Sequence, residues 1–212
     1  MLRSALILGL LGLVGPFAID MYLPAMPAIA ASYGASETAV QATITAYFIA
    51  FGLGQLFYGP WADQAGRKLP IMVGLVLFLI ASFGAAFATT MAALTGWRAL
   101  QGLGGAVLMV VPRAIIRDQY TGTQATRLMA MLMLVISISP MLAPLAGSAV
   151  MALADWRAIF VTLGVLAIAA LALTAFAQPE TLPVKRRVRI NPRNLWRGAK
   201  VLLSDPIFMG LT

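Results

Sequence analysis

A chain of 212 residues is long enough for one ordinary soluble domain, yet 61% of it is hydrophobic, only 10% is charged, and its mean hydropathy is +0.90. A water-facing surface needs charge at about a quarter of positions, so this composition excludes a soluble globular protein and makes lipid the main solvent. The formal charge of +8 suits either nucleic acid or a membrane surface, and where the fifteen Lys and Arg residues fall decides between them. Cys and His are both absent. That removes disulfides, thiolate or imidazole metal sites, His-ligated haem and Ser-His catalysis together. With no Gly-x-Ser-x-Gly either, an enzyme is not expected, nor is a metal or cofactor.

A lipid core about 30 Å thick takes about 20 apolar residues per helix. Six such runs follow one another: Ala5–Ala30, Val40–Tyr58, Pro70–Thr89, Met91–Val111, Leu128–Leu153 and Ala158–Ala177. The first could be mistaken for a cleaved secretory signal ending at Ala28-Ile29-Ala30, but it contains Pro16, Asp20, Pro24 and Pro27, and five further spans follow it. The expectation is an all-α membrane protein whose residues 1–177 form a six-helix bundle. Basic residues orient it. With the N-terminus inside, thirteen of the fifteen lie on the cytoplasmic side, Arg157 alone is outside, and Arg98 is within the fourth span.

In the first span Asp20 falls about 8 Å from the outer face, and Arg98 in the fourth falls about 10 Å from it. A charge inside the membrane costs several kcal/mol even on lenient scales, so each needs a partner or a purpose. An Arg stays protonated, whereas an Asp in such a place can titrate, as proton coupling requires; a fixed salt bridge between spans one and four is the alternative. Arg98, Gln101, Gly102 and Gly105 share one helix face, with Gly102 and Ala106 as a small-xxx-small pair. In the second span Thr43, Tyr47, Phe51 and Gln55 form a stripe that either lines a cavity or packs a neighbour. Phe17 is a further cavity candidate. Pro140 and Pro144, with Ser137, Ser139, Ala143 and Gly147, make the fifth span thin and locally loosened, suited to rocking or equally to close packing.

Between spans two and three runs Gly59-Pro60-Trp61-Ala62-Asp63-Gln64-Ala65-Gly66-Arg67-Lys68. It reads as a tight hairpin turn in which Asp63 can cap a helix and Arg67 can pair with Asp118 at the end of span four. This segment resembles the G-x-x-x-D-x-x-G-R-K signature of the major facilitator superfamily of transporters, with Gln64 where many members carry a basic residue. Arg98-Ala-Leu-Gln101-Gly102-Leu-Gly104 is similar to the fourth-span motif of its proton-coupled drug exporters. Ala143-Pro144-Leu-Ala-Gly147-Ser148 resembles a degenerate fifth-span antiporter motif. Ile19-Asp20-Met-Tyr-Leu-Pro24-Ala-Met-Pro27 and Glu180-Thr-Leu-Pro183 resemble the bicyclomycin and chloramphenicol resistance branch.

The resemblance implies the N-terminal bundle of a two-bundle transporter in a bacterial inner membrane, with alternating access and proton-driven export of a small amphiphilic drug or metabolite. It implies Asp20 as the protonation site, Arg98 as its electrostatic partner, and Gly59, Asp63, Gly66, Arg67, Lys68 and Asp118 as a cytoplasmic latch. The partners implied are protons, a small-molecule substrate and a missing six-helix C-terminal half. A metabolite uniporter or symporter, or a non-transporting six-span scaffold or sensor, remain the alternatives.

Residues 178–205 carry seven of the positive charges against Glu180 and Asp205. Asn191 and Pro192 suit a helix start, and Leu195, Trp196, Ala199, Leu202 and Leu203 then share one face with Arg193, Arg197 and Lys200 opposite. This reads as a cytoplasmic linker with an amphipathic helix whose 185–200 stretch meets anionic lipid headgroups. The positive-inside pattern leaves no charge needing nucleic acid. Asp205-Pro206 opens a last apolar stretch, 206–212, read as the start of a truncated seventh span.

Overall fold

The computed structural model describes residues 2–188. The amphipathic helix expected from Asn191 and the seventh span expected from Pro206 lie outside the described residues, as does most of the 185–200 stretch. Among the described residues six apolar helices are long enough to cross a membrane: Leu6–Tyr33, Glu37–Ala65, Lys68–Ala86, Met91–Gln119, Gly122–Leu153 and Arg157–Ala177. Among the described residues there is no strand. The first crossing is built from α1 (Leu2–Asp20) and α2 (Met26–Tyr33), the fourth from α5 (Met91–Gly105) and α6 (Val107–Gln119). The others are α3 (Glu37–Ala65), α4 (Lys68–Ala86), α7 (Gly122–Leu153) and α8 (Arg157–Ala177).

Three helices overrun the apolar runs read from sequence. α3 starts three residues early, where the Ser36 hydroxyl accepts from the Ala39 N–H at 3.3 Å, and continues through Pro60 to Ala65. The fourth crossing continues to Gln119, and α7 begins at Gly122 rather than Leu128. Hydropathy marks only the part of a helix immersed in lipid; the backbone goes on making its own hydrogen bonds into the polar layer. The expected hairpin turn therefore shrinks to Gly66 and Arg67, and Gly59 to Ala65 are helical. Gly66 makes the reversal with φ +97°, a conformation that favours glycine.

Among the described residues proline interrupts a crossing in one place. Pro24 and Pro27 together remove two donors within one turn, and the first crossing becomes a short tight helix over Leu23–Ala25 between α1 and α2. Pro16, Pro60, Pro112, Pro140 and Pro144 all sit inside continuous helices.

Lipid exerts no hydrophobic force between helices, so contact relies on close packing and internal polar bonds. α5 supplies the closest approach. A Cβ at Gly102 would strike the Tyr47 carbonyl of α3, and one at Gly104 would lie 2.6 Å from both the Gly74 carbonyl oxygen and the Phe78 nitrogen of α4. α5 is thereby wedged between α3 and α4. On the other flank Gly147 of α7 sits against the Met21 backbone where the first crossing breaks. The first and fourth crossings are the most buried, the second and fifth the least. Phe48, Leu53, Leu56 and Phe57 on α3, and Leu134, Met141 and Leu145 on α7, are exposed.

Gly102→Val is expected to destabilise the bundle by about 3 kcal/mol through overpacking against backbone that cannot move aside. Gly96→Ala, where nothing lies within 4 Å of the new methyl, should leave stability unchanged or slightly raised. Thermal unfolding in detergent measures both.

Candidate functional site

Arg98 is the largest fully buried side chain of the described residues, at 0% exposure. Its Nη1 donates to the Ala18 carbonyl at 2.9 Å and to Gln101 Oε1 at 2.5 Å. The guanidinium carbon lies 4.5 Å from the Tyr47 ring centre and 4.6 Å from that of Tyr22, with Phe160 at 5.9 Å. Ring faces carry partial negative charge, so this aromatic cage partly replaces the carboxylate a buried cation would otherwise need. Each cage member is itself tied down. Gln101 Nε2 donates to Ser82 Oγ at 2.8 Å, and that hydroxyl donates to the Phe78 carbonyl at 2.7 Å. The Thr43 hydroxyl gives its proton to the Val40 carbonyl at 2.6 Å, so in the 2.8 Å bond between them Tyr22 is the donor. Tyr47 donates to the Gly15 carbonyl at 3.4 Å.

A guanidinium has five N–H groups, and here the bonds all leave from one nitrogen: Nε and Nη2 are buried without a hydrogen-bond partner. The expected partner, Asp20, makes no ion pair among the described residues. The helix explains this difference. Ala18 belongs to the fully buried stripe of α1 that faces Arg98, and two residues further on the side chain is rotated by about 200°. Asp20 is accordingly half-exposed, at the last residue of α1. Arg98 reaches the first crossing at the Ala18 carbonyl, two residues before Asp20, but the two charges form no ion pair.

Thr43, Tyr47 and Gln101, expected as cavity residues, are turned inward to the Arg98 cage and fully buried; in a medium without water, polar groups are held where partners exist. Phe17 and Gln55 are half-buried. A pocket of about 110 Å³ does open between the first, second and fourth crossings, but neither of them lines it, and its lining is apolar: Gly15, Pro16, Ile19, Phe48, Phe51 and Leu108. Phe51 stacks on Tyr47 at 5.8 Å, which links this pocket to the cage. On α7, Ser139, Ala143 and Gly147 form the buried stripe, Pro140 is exposed and Pro144 half-buried.

At the end where α3, α4, α6 and α8 meet, Arg67 is 6% exposed. Its Nη1 meets Asp63 at 2.7 Å, and its Nε and Nη2 fork onto Asp118 at 2.7 and 3.3 Å. Burial works against this charge, but the bonds to Asp118 and Asp63 outweigh it and hold the guanidinium above its ordinary pKa. Asp63 does not cap α4 as its sequence position suggested, because it lies in the last turn of α3 and is spent on Arg67. The cap comes from 113 residues away. Glu180 Oε1 accepts from the Arg67 N–H at 2.9 Å and Oε2 from the Lys68 N–H at 3.2 Å. Lys68 Nζ donates to the Ala175 carbonyl at 2.6 Å, at the closing turn of α8. Burial alone would raise the Glu180 pKa, yet the N–H groups of Leu182, Arg67, Lys68 and Thr181 together bring it below the ordinary value. The sequence signalled Glu180 only as part of a motif; no local pattern reports a cap delivered from so far along the chain.

A family model of the Major Facilitator Superfamily matches residues 8–212. The chain belongs to this superfamily. It is 36% identical to an uncharacterized MFS-type transporter, YdgK, of Bacillus subtilis (strain 168), over 99% of this chain and 52% of that protein. It is 33% identical to a bicyclomycin resistance protein homolog of Haemophilus influenzae, over 93% of this chain and 51% of that protein. It is 37% identical to multidrug resistance protein D of Escherichia coli (strain K12), over 84% and 45%. The crystal structure of the human organic anion transporter MFSD10 superposes with a TM-score of 0.76 at 18% identity, covering 91% of this chain and 52% of that one, and so shares the fold. The chain spans about half the length of the curated relatives it matches. The superfamily is one of transporters and not of enzymes.

Because the folded-state pKa of Glu180 is lowered, its contribution to stability is complete above the unfolded value of about 4.3 and is lost as pH falls through the lower folded value. Thermal unfolding followed from pH 6 downward should show this acid-side loss in the unaltered protein, and Glu180→Gln should flatten it.

Proposed function

We propose that this bundle is the N-terminal half of a proton-coupled antiporter that exports small amphiphilic drugs or metabolites across a bacterial inner membrane by alternating access. The observation that carries the reading is the fully buried Arg98, with two unpartnered nitrogens, bonded to the Ala18 carbonyl two residues before Asp20, a carboxylate with no ion pair among the described residues. A permanent positive charge in that place biases the neighbouring field, and Asp20, free of a fixed partner, can take and release a proton as the site opens to either side. The apolar pocket beside the cage offers the substrate a surface on this half, and a second six-helix half would supply the rest. Exposed apolar faces on α3 and α7 fit contact with that half and with lipid. The N-terminus lies in the cytoplasm, by the positive-inside pattern, which puts Arg67, Asp63 and Asp118 at the cytoplasmic end as a latch. The basic stretch 185–200 then lies against anionic headgroups.

In the full-length protein, Asp20→Asn should insert normally and lose proton-driven export altogether. Everted vesicles with an imposed pH gradient and a fluorescent substrate measure this. Unchanged pH-dependent transport in the mutant would overturn the role of Asp20. Substrate moving with the protons rather than against them would make the protein a symporter.

A further inference from the structure

We propose that residues 178–188 form a clasp on the Arg67 latch, with Glu180 as the positioning residue that holds it. This rests on reading Asp63, Arg67 and Asp118 as a latch that must form and release during transport.

Four separate contacts join this segment to the two-residue turn and the helix ends that flank it. The Glu180 carboxylate bridges the N–H groups that open α4, at its N-cap Arg67 and its first residue Lys68, and holds its own segment in a turn by also accepting from the Leu182 N–H at 2.9 Å. Gly66 presses against it: a Cβ there would collide with Glu180 Oε2 and reach Arg187 Nη2 at 2.8 Å. Arg187 closes on the far side of the same carboxylate, with Nη2 3.9 Å from Oε2. The Val188 N–H donates to the Asp63 carbonyl at 3.0 Å, so the segment also grips the residue that pairs with Arg67.

Glu180 touches neither latch acid. It acts on Arg67 through the backbone: the same residue whose N–H it caps projects the guanidinium between Asp63 and Asp118. A cap on the first turn fixes where that turn begins and hence where the Arg67 side chain starts. A free helix N-terminus, relieved of its anion, would fray at Arg67 and Lys68, and the fork onto Asp118 would lose its geometry. The chain beyond α8 is thereby wired to the latch, and any movement that draws residues 178–188 away from the bundle weakens it. The motif Glu180-Thr181-Leu182-Pro183 gains a physical role: an acid to cap α4 from outside and a proline to end the turn that presents it.

The test uses the full-length protein. Glu180→Ala should lower kcat for transport about tenfold, on the scale of losing charge-assisted hydrogen bonds, with KM changed less than twofold. Glu180→Gln keeps one acceptor oxygen and should lose about threefold; it also carries the test if the alanine variant does not accumulate. Ala62 is 1% exposed beside Asp63. Ala62→Cys, in a background otherwise free of cysteine, should react with a maleimide at least fivefold faster when combined with Glu180→Ala, and unchanged with Val184→Ala, an exposed neighbour in the same segment. Normal kcat and unchanged labelling in both Glu180 variants would overturn the clasp while leaving the latch, provided Arg67→Ala impairs transport. Normal transport by Arg67→Ala would overturn both.

Discussion

Burying one permanent positive charge where lipid is the solvent sets most of the constraints on this bundle. Water cannot solvate Arg98, and among the described residues no carboxylate pairs with it. The cation is held instead by a carbonyl of α1, an amide from its own helix and two tyrosine faces from α1's end and α3. Those groups come from three crossings, so the charge can be accommodated only when the three are assembled. The cage is a demand on the fold as well as a site within it. Gln101, Ser82, Tyr22 and Thr43 pass hydrogen bonds outward from it, which extends the demand to α4 and further along α3.

Such a cage requires backbones in close approach, and the glycines of α5 allow it. Gly102 lets the α3 backbone come near at Tyr47, the residue whose ring covers the guanidinium. Gly104 does the same for α4 at Phe78, whose carbonyl ends the chain of bonds through Ser82. Packing and electrostatics here share residues. The break in the first crossing belongs to the same arrangement: it follows Asp20, places Tyr22 under the arginine, and lets Gly147 of α7 seat on Met21.

The opposite problem is solved at the Arg67 end, where charges are plentiful and partly hydrated. A turn of two residues leaves the first N–H groups at the start of α4 open, and Glu180 closes them from just beyond the end of α8. Arg67, with its side chain forked onto Asp118 and its backbone held by Glu180, joins the start of α4 to the end of α6 and to the segment after α8.

Six spans, the charges within them and the superfamily were legible in the sequence, because hydropathy is a sum over about twenty neighbours and the motifs are contiguous. The helix ends were not, since a helix continues past the lipid boundary without changing its hydrogen bonding. Asp20 and Arg98 were legible as costly residues within the spans, but not as unpaired, because pairing depends on rotation about α1 and not on position along it. Thr43, Tyr47 and Gln101 read equally as cavity lining or packing until the tertiary structure turned them onto Arg98. Asp63 was legible as an acid near a helix start, and Glu180 was not legible as the cap, since 113 residues separate it from the N–H group it closes. Composition and local order thus determined what the solvent is and which residues are expensive in it. Which group compensates each of them was decided only when helices distant in sequence came together, because the compensation acts through space over a few ångströms.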